Sequence, residues 1–173
     1  VLQKLRAHMV QQAPSLLRIP LKYTPFSLQR QLLEQVLGWQ FRQALSEGEL
    51  AFLEARWLKI EVRDLGLQWF MTLENNRLVV RQQAQADVSF SADANDLILI
   101  AAHKQDPDTL FFQRRLQIEG DTELGLYVKN LLDAIDLDQM PAPLRITLLQ
   151  LANFVEAGLQ EGTVQSNRVV PSC

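Results

Sequence analysis

Trp57-Leu58-Lys59-Ile60-Glu61-Val62-Arg63-Asp64-Leu65-Gly66-Leu67-Gln68-Trp69-Phe70-Met71-Thr72-Leu73 is the stretch in which the chain changes period. Leu58, Ile60 and Val62 alternate with Lys59, Glu61 and Arg63, and Leu65, Leu67, Trp69, Met71 and Leu73 alternate with mostly polar residues. A period of two sends successive side chains to opposite faces, so both segments read as strands with one apolar and one wet face. Asn75-Asn76 then supplies a turn that tolerates positive φ, Leu78 to Gln82 reads as a third strand, and Val88, Phe90 and Ala92 against Asp87, Ser89 and Ser91 give a fourth. Alternation on one side only marks an antiparallel sheet covered on a single face.

The covering layer must come from the flanks. Upstream, Thr24-Pro25 is a helix start, and Leu33, Val36, Leu37, Phe41, Ala44 and Leu45 follow on one face, which predicts a helix over 25–46 and a further turn at Glu49 to Leu53. Before it, Leu2, Leu5, Met9 and Ala13 stand at near-helical spacing, and Pro14, Pro20 and Pro25 forbid one continuous helix. Downstream, Leu97 to His103 is apolar on most sides, and Asp106-Pro107-Asp108 caps a short helix carrying Leu110, Phe111 and Phe112. Leu116, Ile118 and Gly120 make a fifth strand. Asp121 caps a helix whose Leu124, Tyr127, Val128, Leu131, Leu132 and Ile135 form the cleanest stripe in the chain. After Met140-Pro141-Ala142-Pro143 a last helix carries Leu144, Leu148, Leu151, Ala152, Val155 and Leu159, and Gly162 to Cys173 is polar. The order predicts an α+β layered domain. Its divisions are a basic amphipathic extension over 1–24, a domain over 25–160 that includes the terminal helix, and a disordered tail over 161–173.

Composition narrows the function. With 173 residues, 47% apolar and 21% charged, the chain is expected to fold as one domain, and a chain of about 150 residues buries roughly 70% of its unfolded surface without staples. The single cysteine, Cys173, excludes a disulfide framework and a Cys-rich metal site, which suits a reducing compartment. The longest apolar run, Leu97 to Ala102, is six residues, against about 20 for a bilayer span, so a cytoplasmic protein is expected. The net charge of −3 hides an asymmetry: residues 1–33 carry +5 and no acidic group, and the remainder carries −8. Such a segment either meets an anionic membrane, giving peripheral contact at the inner membrane, or packs on the domain or a second copy of it.

The chemical inventory is poor. His8 and His103 are isolated, Cys173 lies in the tail, and Asp106 and Asp108 flank a proline as caps do. Asp133, Asp136 and Asp138 lack the ligand repeat of a calcium loop, and Gly120 and Gly125 do not make a phosphate cradle. No basic patch interleaved with aromatics suggests nucleic acid. Residue types alone therefore leave an apolar core, and any one of its aromatics reads as packing before it reads as a binding wall.

Ala86 to Asp93, followed by Asp96-Leu97 and by Gln105 to Asp121, resembles the sterol-carrier-protein type two domain superfamily over roughly residues 30–137. Arg114 to Asn130, with Phe26 to Gln43 and Asp106 to Gln117, resembles more narrowly the bacterial accessory factors of ubiquinone biosynthesis. The resemblance implies a five-stranded, largely antiparallel sheet covered on one face by helices, with extra N- and C-terminal helices and an apolar tunnel between the layers. It implies no catalysis and no cofactor beyond a bound lipid: ubiquinone, a polyprenyl precursor or a phospholipid. Implied partners are isoprenoid quinone lipids and the peptidase-like hydroxylation proteins of the oxygen-independent route. Trp39, Trp69, Phe111, Phe112, Tyr127 and Leu131 are the expected tunnel wall. A general phospholipid or fatty-acyl carrier, a structural adaptor with a filled interior, and an enzyme acting on a lipid head group remain as alternatives.

Overall fold

The computed structural model describes residues 23–167, with side chains to residue 160. Residues 1–22 of the extension expected over 1–24, and residues 168–173, lie outside the described residues. Helix α1 (Phe26–Gln40) leads into α2 (Arg42–Glu47) and a single 3-10 turn (Ala51–Leu53). Three strands follow, β1 (Leu58–Val62), β2 (Leu67–Glu74) and β3 (Arg77–Arg81), and then β4 (Val88–Ala92). Helices α3 (Ala94–Ala101) and α4 (Pro107–Phe112), strand β5 (Gln117–Gly120) and helices α5 (Thr122–Asp133) and α6 (Ala142–Asn167) complete the order.

The five strands form one sheet in the order β3-β2-β1-β4-β5. All pairings are antiparallel except β1 with β4. Val80, Met71, Leu58, Val88 and Gly120 stand in one row across the sheet, and Trp69, Ile60, Phe90 and Ile118 lie two residues further along. These rows share a face. Its residues Leu58, Met71, Leu78, Val88 and Phe90 join Phe41, Ile100, Leu110, Leu124 and Val128 of the helices in one buried cluster. The opposite face carries the ion pairs Lys59–Glu61 and Arg81–Glu74 with Ser89 and Ser91, as the alternation predicts. On that face Phe70 is nonetheless buried, in a row between Lys59 and Arg81, whose long apolar stems can cover it.

Local chemistry accounts for the element ends. Asn75 and Asn76 both adopt positive φ between β2 and β3, as a two-residue hairpin turn demands. The helix expected over 25–46 divides at Phe41, whose ring is buried in the core, and Gly48 ends α2 in the left-handed conformation. Pro25 occupies the cap position of α1, so the helix begins one residue later than a Thr24 cap would place it. Helix α1 lies along edge strand β3, and Glu34 Oε1 accepts the edge amide of Val80 at 2.9 Å, closing part of an open sheet edge.

Helix α6 corrects the expected tail. It continues through residues 161–167, because one glycine at 162 costs only about 1 kcal/mol and does not stop a helix without a following break. Its inner side meets α3 in a second cluster of Leu99, Ala102, Ala152 and Val155.

Gly120 has φ +110, and a Cβ there would stand 2.3 Å from the Asp87 carbonyl oxygen. Gly120→Ala is therefore expected to destabilise the protein by more than about 2 kcal/mol, read as a lowered denaturation midpoint in urea. An unchanged midpoint would show that the β4–β5 end relaxes freely.

Candidate functional site

Short helix α4 decides which aromatics reach the surface. Asp106 caps it by accepting from Thr109 N at 2.9 Å, Pro107 is buried in its first turn, and Leu110 points inward with no exposure. A helix that turns Leu110 inward turns the next two residues out, so Phe111 is 43% and Phe112 80% exposed. Their rings meet edge to face at 5.9 Å. Helix α5 starts opposite, where Asp121 Oδ1 accepts from Leu124 N at 2.9 Å. Between them an open groove of about 270 Å³ is lined by Phe111, Phe112, Ile118, Gly125 and Leu126. Gly125 lets α5 approach β5, since a Cβ there would stand 3.0 Å from Ile118 Cγ2.

One charged bridge joins the groove's walls. Lys129 Nζ donates to both carboxylate oxygens of Asp108, at 2.8 and 2.9 Å, which ties α5 to α4. The Asp108 hydrogen bond pushes the Lys129 ammonium above its ordinary pKa and keeps it charged. Nearby, burial pushes the Asp133 carboxyl up. Burial likewise raises Asp96, against the lowering effect of its hydrogen bond from Arg115. Asp96 lies buried in the first turn of α3, and its pair with Arg115 lines none of the grooves described, so it is read as a structural tie.

Among the grooves and contacts described, the expected wall residues fall at separate places. Phe111 and Phe112 line the α4–α5 groove. Trp39 lines a larger, more polar groove of about 530 Å³ with Arg42, Gln43, Gln139 and Met140. Tyr127 stacks on Phe52 at 5.1 Å beside a third hollow of about 180 Å³. Trp69 lies half-buried on the covered face of the sheet and donates from Nε1 to Gln29 Oε1 at 2.9 Å. Leu131 packs half-buried against the main core. Ile118, Gly125, Leu126 and the Lys129–Asp108 bridge were missed. Gly125 inside an apolar helical stripe was the signal, since a glycine there implies a close neighbour.

Among the described residues no group of three or more His, Cys, Asp or Glu side chains is placed to hold a metal ion, and no helix is long and apolar enough to cross a membrane. His103 Nε2 hydrogen-bonds the carbonyl of Ile135, which makes it a tie between α3 and the end of α5. The groove offers the apolar surfaces of Phe111, Phe112, Ile118 and Leu126 beside the Lys129–Asp108 bridge and the carboxylates of Glu119 and Asp121.

Residues 33–133 match the model of the SCP-2 sterol transfer family. The chain belongs to that family. It is 71% identical over 160 residues to the ubiquinone biosynthesis accessory factor UbiT of Escherichia coli K12, and to that of strain O157:H7, covering 92% of each chain. A solved structure described as a UbiJ-SCP2 ubiquinone synthesis protein superposes with a TM-score of 0.52 at 19% identity, covering 63% of this chain and 97% of that one. At that identity the superposition establishes a shared fold, and it agrees with the five-stranded sheet and its helical cover.

The exposure pattern separates buried apolar residues from outward ones. Phe112→Ser should leave the urea midpoint within the equivalent of about 0.5 kcal/mol, whereas Leu131→Ala should cost about 1–3 kcal/mol. Equal losses in the two variants would mean that Phe112 contributes to the core.

Proposed function

We propose that this chain is a non-catalytic lipid-binding accessory factor of ubiquinone biosynthesis, serving the oxygen-independent route. It holds ubiquinone or a polyprenylated precursor with the tail between the sheet and the helices. The observation that carries this reading is the α4–α5 groove, whose two outward phenylalanines belong to no part of the core. Kinship with the accessory factors named UbiT supplies the lipid class.

Energetics favour such a site without catalytic residues. At roughly 0.8 kcal/mol per buried CH₂, one five-carbon isoprene unit is worth about 4 kcal/mol, and two units reach the scale of micromolar binding before association costs. The groove of about 270 Å³ is near the lower end of ligand pockets, which run from about 300 to 1,000 Å³. A long tail therefore requires α4 and α5 to move outward from β5. The Lys129–Asp108 bridge would move with them, because it joins the two helices to each other and not to the sheet.

Purified protein examined by native mass spectrometry with lipid extraction tests the proposal. A stoichiometric isoprenoid quinone is the expected result, and the double variant Phe111→Ser/Phe112→Ser should weaken its binding about tenfold or more. Phospholipid alone would indicate a general carrier, an empty protein an adaptor, and turnover of the lipid an enzyme; each of these outcomes sinks the quinone reading.

Delivery of such a lipid requires a membrane. The extension over 1–24, with its charge of +4, is proposed for reversible contact, each Lys or Arg contributing about 1 kcal/mol at an anionic surface. Full-length protein should float with anionic but not neutral vesicles, lose binding at high salt, and lose it when residues 1–23 are deleted. Equal flotation of the truncated protein would exclude the N-terminal anchor.

A further inference from the structure

The two edges of the sheet are finished differently. At β3, helix α1 lies alongside and Glu34 takes the Val80 amide. At the other edge, among the described residues, β5 pairs only with β4, and Gln117, Glu119 and Gly120 are exposed. The neighbouring strands fix where its backbone groups point. Val88 N donates to the Trp57 carbonyl at 3.3 Å, and the Ala92 carbonyl accepts from Arg63 N at 3.0 Å, so Val88, Phe90 and Ala92 turn their backbone toward β1. Ser89 and Ser91 therefore turn theirs toward β5, where Glu119 and Gln117 stand opposite. The Ile118 N–H and C=O and the Gly120 N–H are left pointing away from the sheet, as ladder positions without a ladder.

Those groups stand beside the α4–α5 groove, which Ile118, Glu119 and Gly120 help to line. A strand added about 4.8 Å from β5 would continue the division of the sheet into two faces, because side chains directly opposite one another share a face. Every second residue of it would meet Ile118, Phe112 and Leu126 on the groove side. The residues between would lie on the wet face, in the row of Glu119, Ser89 and Lys59. Charge decides what they are. Three carboxylates, Asp108, Glu119 and Asp121, line the groove against the one ammonium of Lys129, which Asp108 already holds. That field attracts a basic segment and repels an acidic one. A second copy of β5 would bring the same carboxylates together, so like charge opposes self-pairing.

We propose that the open edge of β5 takes up an extended, basic segment of a partner protein as an added strand. Alternate apolar side chains of that segment cover Phe112 and Leu126, and the basic ones between them reach Glu119. The Ile118 and Gly120 backbone supplies affinity that any extended chain can use, and the apolar and basic alternation selects the partner. The proposal goes beyond the lipid reading and stands without it, since an isoprenoid tail covers the rings but bonds to neither backbone.

The probe is acetyl-Lys-Val-Lys-Val-Lys-Val-Lys-amide, and the control is a peptide of the same composition with its valines grouped together. Hydrogen exchange of the full chain, read residue by residue by NMR, should slow about tenfold or more at the Ile118 and Gly120 amides with the alternating peptide at about 1 mM, and should not change with the control. Glu119 is exposed, so Glu119→Lys should keep the fold and weaken the alternating peptide about fivefold or more. Binding of both peptides alike, or binding without protection at those two amides, would show diffuse charge attraction and overturn the proposal. Absence of binding, or an unchanged affinity in Glu119→Lys, would overturn it as well. Protection of the same amides in the peptide-free protein that grows with its own concentration would assign the edge to a second copy, and would also overturn it.

Discussion

Asp87 holds three strands together at one end of the sheet. Its amide donates to the Trp57 carbonyl at 2.9 Å, its Oδ2 accepts from Trp57 N at 2.7 Å, and its carbonyl accepts from Asp121 N at 3.0 Å. Parallel β1 and β4 cannot be joined by a hairpin, so the chain must cross the sheet's end from β3, and Asp87 is where that crossing is fastened. Only glycine fits at position 120, against the Asp87 carbonyl. Arg56 lies 3.8 Å from Asp87 and 3.5 Å from Asp121, but its side chain is 48% exposed. Ion pairs so exposed add at most about 1 kcal/mol, so the hydrogen bonds and the steric fit set the register.

That register places the groove. Asp121 leaves β5 directly into the cap of α5, so fixing Gly120 fixes the line along which α5 runs. Gly125 then brings α5 down on Ile118, and the Lys129–Asp108 bridge sets the distance to α4. The far end of the sheet is tied separately. Arg63 donates to the Arg115 carbonyl at 2.7 Å and to Asp93 at 3.2 Å, and Asp64 accepts the Ala94 amide at 2.9 Å. Both ends of the β4–α3–α4–β5 excursion are thus clamped, while its middle, α4, carries the outward aromatics.

Strands were legible in the sequence because a half-buried strand writes its two faces in alternate letters, and Leu58–Val62 and Val88–Ala92 do so without exception. The pairing was not: nothing in the alternation of Val88, Phe90 and Ala92 tells a parallel neighbour from an antiparallel one. Caps at Asp106 and Asp121 were legible because the acceptor and the amide it serves are three residues apart. How Trp39, Trp69, Phe111, Phe112, Tyr127 and Leu131 stand to one another was not, because side-chain type does not report which side of a helix faces the sheet. In α4 that orientation depends on Leu110, whose burial comes from the tertiary core.

Leu110 also marks where the core ends. It and Leu116 are essentially fully buried among sheet and helix residues, so protein side chains close the core under α4. The apolar surface of Phe111, Phe112 and Leu126 is surplus to that core, exposed at the groove and free to be covered. For the proposed lipid site this limits how far α4 can move. Lifting it from β5 to admit a long tail would uncover Leu110, and a cavity so opened costs about 24 cal/mol per Å³ unless the tail fills it. The outer surface of Phe111, Phe112 and Leu126 can be covered without that cost.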